Sequence, residues 1–481
     1  MLPETQTTER SRALLAASAA LALFWVVFLW GWWQDGPYAL GANMSLFLIA
    51  LLAAGVRIGL QERKFFSAKN LAWIMPLLLI GASYALYDNP FIKIVNLFAI
   101  PVFAMIFLTY AAHPRAASFQ WGAKFVVQVI ERWAWILGLI PKSALCLITA
   151  LSPRENDKWR AGKRAALGLI LLAVIGTIIV APLLGSADPT FGSIVSTFYD
   201  WLGQFIDPEL AGRIFVFVIL LIGILSLFFS LRQSRAGSDD DGVPRQTDSL
   251  IAGIVLAGIL GLYVIFLWLQ INRLWVNQLP IDFKTTESLV KSGFWQLFVL
   301  TILNIAFFFA CYRRTNKPVQ RLLLGFATAS LLLLGSAAWR LVLYVFGYGF
   351  SYEKFYASYT VVFCAVLLIW LIGRMFASAR ANLLKAAVFL LLWMYAVIAI
   401  APVEQFVFRA NLALSARQDS RINRYEMTML SPDVLGQVEE TYKKSPQLLE
   451  GWDQWIADNK EMVAKKAWYE MNVMNLFYLA K

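Results

Sequence analysis

The residues with types and positions suited to chemistry are few, and they gather at the ends of long apolar runs. Arg340 stands in Trp339-Arg340-Leu341-Val342-Leu343-Tyr344, about two helical turns inside the end of a run that closes with Tyr348-Gly349. An ionisable group at that depth in a membrane must snorkel or pair, which makes it a site candidate. Asp88, Asp188 and Glu404 lie at the ends of other runs and are the acids expected to meet it. Such a cluster either locks helices together as an ion pair or offers a polar site to a substrate, and the locking reading carries more weight.

Other chemistries find less support. The single histidine, His113, precedes a proline, so no His-based triad or metal cluster can be assembled on the opposite face. Asp35, the right residue type for a lipid-linked transferase, sits in Asp35-Gly36-Pro37, where a turn is the simpler explanation. The triplet Asp239-Asp240-Asp241 lies in a Gly- and Pro-bearing loop and reads as solvated in the absence of further fixed ligands. Cys146, Cys311 and Cys364 are far apart in apolar segments, without CxxC spacing, and suit packing rather than a disulfide framework. No catalytic residue, cofactor or metal site is assigned from the sequence. No Asp or Glu falls well inside an apolar run, which weighs against proton-coupled transport.

The elements that must position these residues are helices. About eleven runs of roughly 20 apolar residues, enough to cross a ~30 Å hydrocarbon core, predict ten to twelve spans. They fall near 12–33, 37–56, 70–87, 91–112, 165–185, 212–232, 249–271, 293–312, 319–346, 355–376 and 384–403. The fold class is therefore all-α, a polytopic transmembrane bundle over 1–403 with a small C-terminal helical region over 404–481. The composition agrees: 59% hydrophobic and 15% charged, against about a quarter charged in soluble domains. The net charge of +12 is concentrated in alternate loops. That asymmetry predicts a cytoplasmic N-terminus and an extracytoplasmic C-terminus in a bacterial inner membrane, and it argues against nucleic acid as a partner. The first run ends in Trp30-Gly31-Trp32-Trp33 rather than a small-residue cleavage site, so it reads as a retained span.

Residues 113–164 mix Trp133, Trp135 and Trp159 with basic residues and apolar runs broken by Pro141. They are expected to lie on the cytoplasmic face as amphipathic helices, with short re-entrant helices as the alternative. Gly253, Ala257 and Gly261 recur at four-residue spacing, a helix-packing face. In the tail, Ser431-Pro432-Asp433 starts a helix whose apolar face is Val434, Leu435, Val438 and Tyr442, stopped by Ser445-Pro446. A second helix is expected over 459–480. Fewer than 80 residues make a meagre core, so the tail should dock on the spans or on a protein partner.

In order along the chain, Asp88-Asn89, Ser186-Ala187-Asp188-Pro189-Thr190-Phe191, Gly293-Phe294-Trp295-Gln296-Leu297, Ser336 to Arg340, Leu343-Tyr344, Tyr348-Gly349, Asn411, Tyr425, Leu430-Ser431-Pro432-Asp433, Trp468 and Asn472 resemble the bacterial family called domain of unknown function 4173, and the related group 4153. Ile422-Asn423 and Met471 depart from its pattern. The resemblance implies a multi-span bacterial inner-membrane protein and supplies no activity. The leading expectation is a non-enzymatic protein whose outer face and tail engage a partner in envelope sensing or assembly. A small-solute transporter or channel is the alternative, and a lipid- or glycan-handling enzyme the third.

Overall fold

In the computed structural model, residues 4–61, 68–112, 125–151, 207–232, 248–270, 283–377, 382–417 and 427–480 are described, with a few isolated positions between. They are helical throughout, with no strand among them. In chain order the longer helices are α1 (Glu4–Phe28), α2 (Ala42–Gln61), α3 (Ala68–Leu86), α4 (Pro90–Ala112), α5 (Phe125–Gly138), α6 (Ile140–Leu151), α7 (Pro208–Arg232) and α8 (Ser249–Gln270). There follow α9 (Phe283–Cys311), α10 (Lys317–Tyr348), α11 (Tyr352–Phe376), α12 (Leu383–Ala399), α13 (Val403–Ser415), α14 (Leu435–Lys444), α15 (Asp453–Lys465) and α16 (Val473–Leu479).

Their starts are written locally. Asn89, Asn316, Ser351 and Asn382 each accept a hydrogen bond from the backbone N–H three residues on, capping α4, α10, α11 and α12. Pro76 and Pro101 lie inside α3 and α4 without ending them. Among the described residues six stretches are long and apolar enough to cross a membrane, or up to eight if each of two bent pairs is one span. The bent pairs are α1 with the short turns up to Ala39, at 49°, and α12 with α13, at 66°. Helices therefore overlap every expected apolar run except 165–185, which lies outside the described residues, as do His113, Asp188 and the Asp239–Asp241 loop.

One of the six stretches is Val127–Ala150, built from α5 and α6. The two helices fall within 113–164, where amphipathic or short re-entrant helices are expected, and end to end they are also long and apolar enough to cross a membrane. Pro141 falls in the first turn of α6, where it gives up no helical hydrogen bond. The bonds Leu139 N to Ile136 O and Ser143 N to Leu139 O carry the backbone across the junction. Ile136 packs with Met105 and Ile106 of α4, and the Ser143 and Ser226 hydroxyls meet at 2.9 Å between α6 and α7.

Two apolar cores are the largest among the described residues. The larger joins α1–α4, α7, α12 and the tail, and the second is built from α8–α11 and the start of α12. Leu392 and Ala396 of α12 belong to the first core, Leu383 and Ala387 to the second. Inside the second, Tyr263 donates to Asn304 at 2.6 Å and Asn304 to Ser330 at 2.8 Å. A chain of bonds of this kind satisfies polar groups that lipid would leave unpaired. Gly253 lies against Val319 of α10, but Ala257 and Gly261 face outward. The buried positions of α8 among the described residues are Ala252, Leu256 and Tyr263.

The tail folds as a cap over the end of the first bundle. Val434, Leu435 and Val438 are buried as their spacing predicts, joined by Leu449, Trp452, Ile456 and Val463. The single helix expected over 459–480 is broken at 466–472, a strap that crosses the start of α2. There Asn43 N donates to Tyr469 O at 2.8 Å and Ala42 N to Met471 O at 3.3 Å, so tail carbonyls satisfy the first free N–H groups of α2. Gly41 makes the approach possible. A Cβ there would stand 2.1 Å from Glu470 O. Gly41→Ala should therefore displace the strap and destabilise the cap by about 1–3 kcal/mol, the range for overpacking. Gly347→Ala, whose added carbon meets nothing within 4 Å, should be neutral or better; thermal unfolding of the two variants checks the contrast.

A buried charge cluster under the cap

Where α3 ends and α4 begins, Asp88 turns inward and is fully buried. Its Oδ1 pairs with Lys93 Nζ of α4 at 2.8 Å, and its Oδ2 with Lys466 Nζ of the strap at 2.6 Å. Asn475 Nδ2 donates to the same Oδ2 at 3.1 Å, while Asn475 Oδ1 accepts from Lys466 at 3.1 Å. Asn475 is held there by α16: Asn472 and Asn475 form a reciprocal capping box.

A second acid, Asp433, comes from the start of the cap. Its Oδ2 accepts the Asp88 backbone N–H at 2.5 Å and its Oδ1 accepts Asn472 Nδ2 at 3.0 Å. The third, Glu404, stands in the first turn of α13, just past the 66° bend. Its carboxylate accepts from the Tyr352 hydroxyl of α11 and from both the hydroxyl and the N–H of Ser431. Gln405 Nε2 donates to Asp433 O at 3.3 Å. Asn89 donates to Tyr356 at 2.9 Å, and Tyr395 donates to Asn96 at 2.6 Å. Two short bonds between Asn411 and the Phe350 backbone fix the neighbouring turn, where Gly349 adopts φ +72° and leaves no room for a side chain against Asn411 Oδ1.

Three carboxyls thus share a dry site with two ammoniums. Burial works against every charge here. For Asp88 the adjacent Lys93 and Lys466 outweigh that effect and hold its carboxyl below the usual range. Burial pushes Glu404 up to about 7 despite the bonds from Ser431 and Tyr352, which favour its charged form. Asp433 is raised well above the ordinary carboxyl value, first by burial and then by the charges of Asp88 and Glu404. One proton on Glu404 or Asp433 brings the group to neutrality, and it belongs to the pair rather than to either residue. The cavity between them, lined by Tyr87, Asn89, Ile92, Val403, Glu404 and Asp433 among others, holds about 10 Å³, room for about one water molecule.

Of the four residues expected to cluster, Asp88 and Glu404 meet at this site. Arg340 is half-buried on α10 and is not among the groups that pair with Asp88 or bond Glu404; Asp188 lies outside the described residues. Lys93, Lys466 and Asp433 complete the cluster around Asp88 and Glu404. Lys354, also buried, caps the end of α10 through Tyr348 O at 3.3 Å and lies 4.7 Å over the Tyr344 ring. Asp35 is exposed. Among the described residues no group of His, Cys, Asp and Glu is placed to hold a metal ion; positive charge at the site is supplied by lysine.

Long apolar helices closed at one end by a helical cap define a helical membrane protein of unknown activity. A family model described as Domain of unknown function (DUF4153) matches residues 74–441, and the chain belongs to that family. Of the two groups its motifs resemble, the matching one is therefore 4153. No curated protein and no solved structure matches the chain. The motif residues Asp88-Asn89, Tyr348-Gly349, Asn411, Ser431-Pro432-Asp433 and Asn472, spread over nearly the whole sequence, converge on the cluster and its adjoining turn.

Proposed function

We propose that the chain is a multi-pass bacterial inner-membrane protein whose residues 1–403 form about eleven spans. Its N-terminus is cytoplasmic, and residues 404–481 cap the extracytoplasmic end. The reading is non-enzymatic: the cap engages a protein partner, in envelope sensing or assembly. One observation supports it above others. The buried pairs of Asp88 with Lys93 and Lys466 fasten the cap, and the cavity beside them has space for about one water. The same observation lends less support to a transporter, channel or lipid-handling enzyme acting through this end. The outer surfaces of α14 and α15, which carry Glu440, Lys444, Asp458 and Glu461, are the faces left for recognition.

Co-purification from gently solubilised membranes, comparing the native chain with Asp88→Asn, tests this. A partner retained by the first and lost by the second supports engagement through the docked cap. Equal recovery with both, or none with either, counts against it.

A further inference from the structure

The charged surface of the cap gives way to an apolar one at the strap and α16. Trp468 is 73% exposed, and on α16 Phe477 is 64% and Leu476 54% exposed. With Val473 they form the side of α16 opposite Asn475, which is held inward on Asp88. This patch has a definite height relative to the spans. The Tyr469 ring sits edge-on to Phe28, the last residue of α1, at 5.3 Å, and Trp468 is 5.6 Å from Tyr469. Tyr469 and Met471 accept the first N–H groups of α2, and α16 packs against α3. The patch therefore lies level with the ends of three helices. Immediately along those helices Leu23 and Val27 of α1 and Leu46 and Ile49 of α2 are exposed apolar residues, the surface such helices turn to lipid. Trp33, in the short turn beyond the bend that follows α1, is exposed as well.

We propose that Trp468 and the Val473–Leu476–Phe477 side of α16 are immersed in the bilayer leaflet on the cap's side, at the boundary of headgroups and acyl chains. Tryptophan with leucine and phenylalanine on one face of a short helix is the composition that this boundary favours. The patch is continuous with the lipid-facing surface of α1 and α2, whereas α14 and α15 stay in water. The cap is then fastened twice, by buried charge on its inner side and by lipid at its edge.

The test uses the full chain in lipid nanodiscs, in a Cys146→Ser background, with Phe477→Cys carrying an environment-sensitive fluorophore. Leu476→Cys is a second probe position and Asp458→Cys, on the exposed face of α15, the aqueous reference. Quenching is compared between a lipid bearing a nitroxide near its headgroup and dissolved iodide. At 476 and 477 the lipid nitroxide should quench several-fold more than iodide, with the order reversed at 458. Iodide quenching at 477 equal to that at 458 would overturn the proposal by showing the patch in water. Protection from both quenchers would overturn it equally, by showing the patch covered by a second copy or another protein.

Discussion

Asp88→Asn should release the cap while leaving the spans folded. Asp88 is the shared partner of Lys93 and Lys466, so its loss strands two buried ammoniums at once. Removing one partner of a buried pair destabilises by about 3–5 kcal/mol, mainly because the other charge stays desolvated. Lys466→Met should be milder, since Asp88 keeps Lys93 and the methionine fills the same space. Adding Lys93→Met to Asp88→Asn/Lys466→Met should recover part of the loss, because no buried ammonium is then left without its partner. Limited proteolysis of residues 404–481 in nanodiscs reads all of these variants. The ranking native, Lys466→Met, Asp88→Asn, from resistant to sensitive, is the expected outcome. A tail as resistant in Asp88→Asn as in the native chain would show that these pairs do not hold the cap.

The second large effect is on pH. Glu404 has an ordinary value of 4.5 and is pushed up to about 7 in the folded chain. The folded state therefore binds more protons than the unfolded one between those values. Stability from this group is fully present below about 4.5 and is lost as pH rises through about 7. At roughly 1.4 kcal/mol per pH unit, the rise from 4.5 to about 7 makes that loss about 3–4 kcal/mol. Asp433, also raised, adds in the same direction. Asp88 acts oppositely: its lowered value makes its contribution present above the ordinary carboxyl range and lost as acid protonates it. Cap docking should thus be strongest at mildly acidic pH and loosen on both sides. Amide exchange of the cap at pH 5 to 8.5 measures the alkaline limb, and Glu404→Gln should flatten it. A limb unchanged in Glu404→Gln would assign the dependence elsewhere.

Much of this fold is legible in the sequence because lipid imposes a length and a composition on every span. The asparagine and serine caps of α10–α12 and the buried face of α14 are equally local signals. The charge cluster is only half legible. Asp88 and Glu404 stand out as acids at the ends of apolar runs, but the lysines that pair with Asp88 carry no mark. Lys93 in the first turn of a span has the look of a snorkelling side chain, and Lys466 follows Lys465 in what reads as a solvated run. Arg340, the conspicuous cation, draws attention away from both. The break in the helix expected over 459–480 is also hidden, because Lys466 leaves the helix to meet an acid 378 positions earlier. Spacing within one segment says nothing about such a contact. The capping box of Asn472 and Asn475 was the available clue, since it starts a new helix where the apolar pattern suggests continuation.

The same long-range pair has a consequence for biogenesis. Asp88 and Lys93 are near neighbours and can meet as soon as α3 and α4 leave the ribosome. Lys466 is made far later, and contacts of such high sequence separation close late. Throughout that interval one oxygen of Asp88 waits without its second cation, and the N–H groups that open α2 wait for Tyr469 and Met471. Arrival of the strap completes both at once. Nascent chains that stop short of it are left with an open, polar membrane end, the kind of unfinished surface that quality control removes.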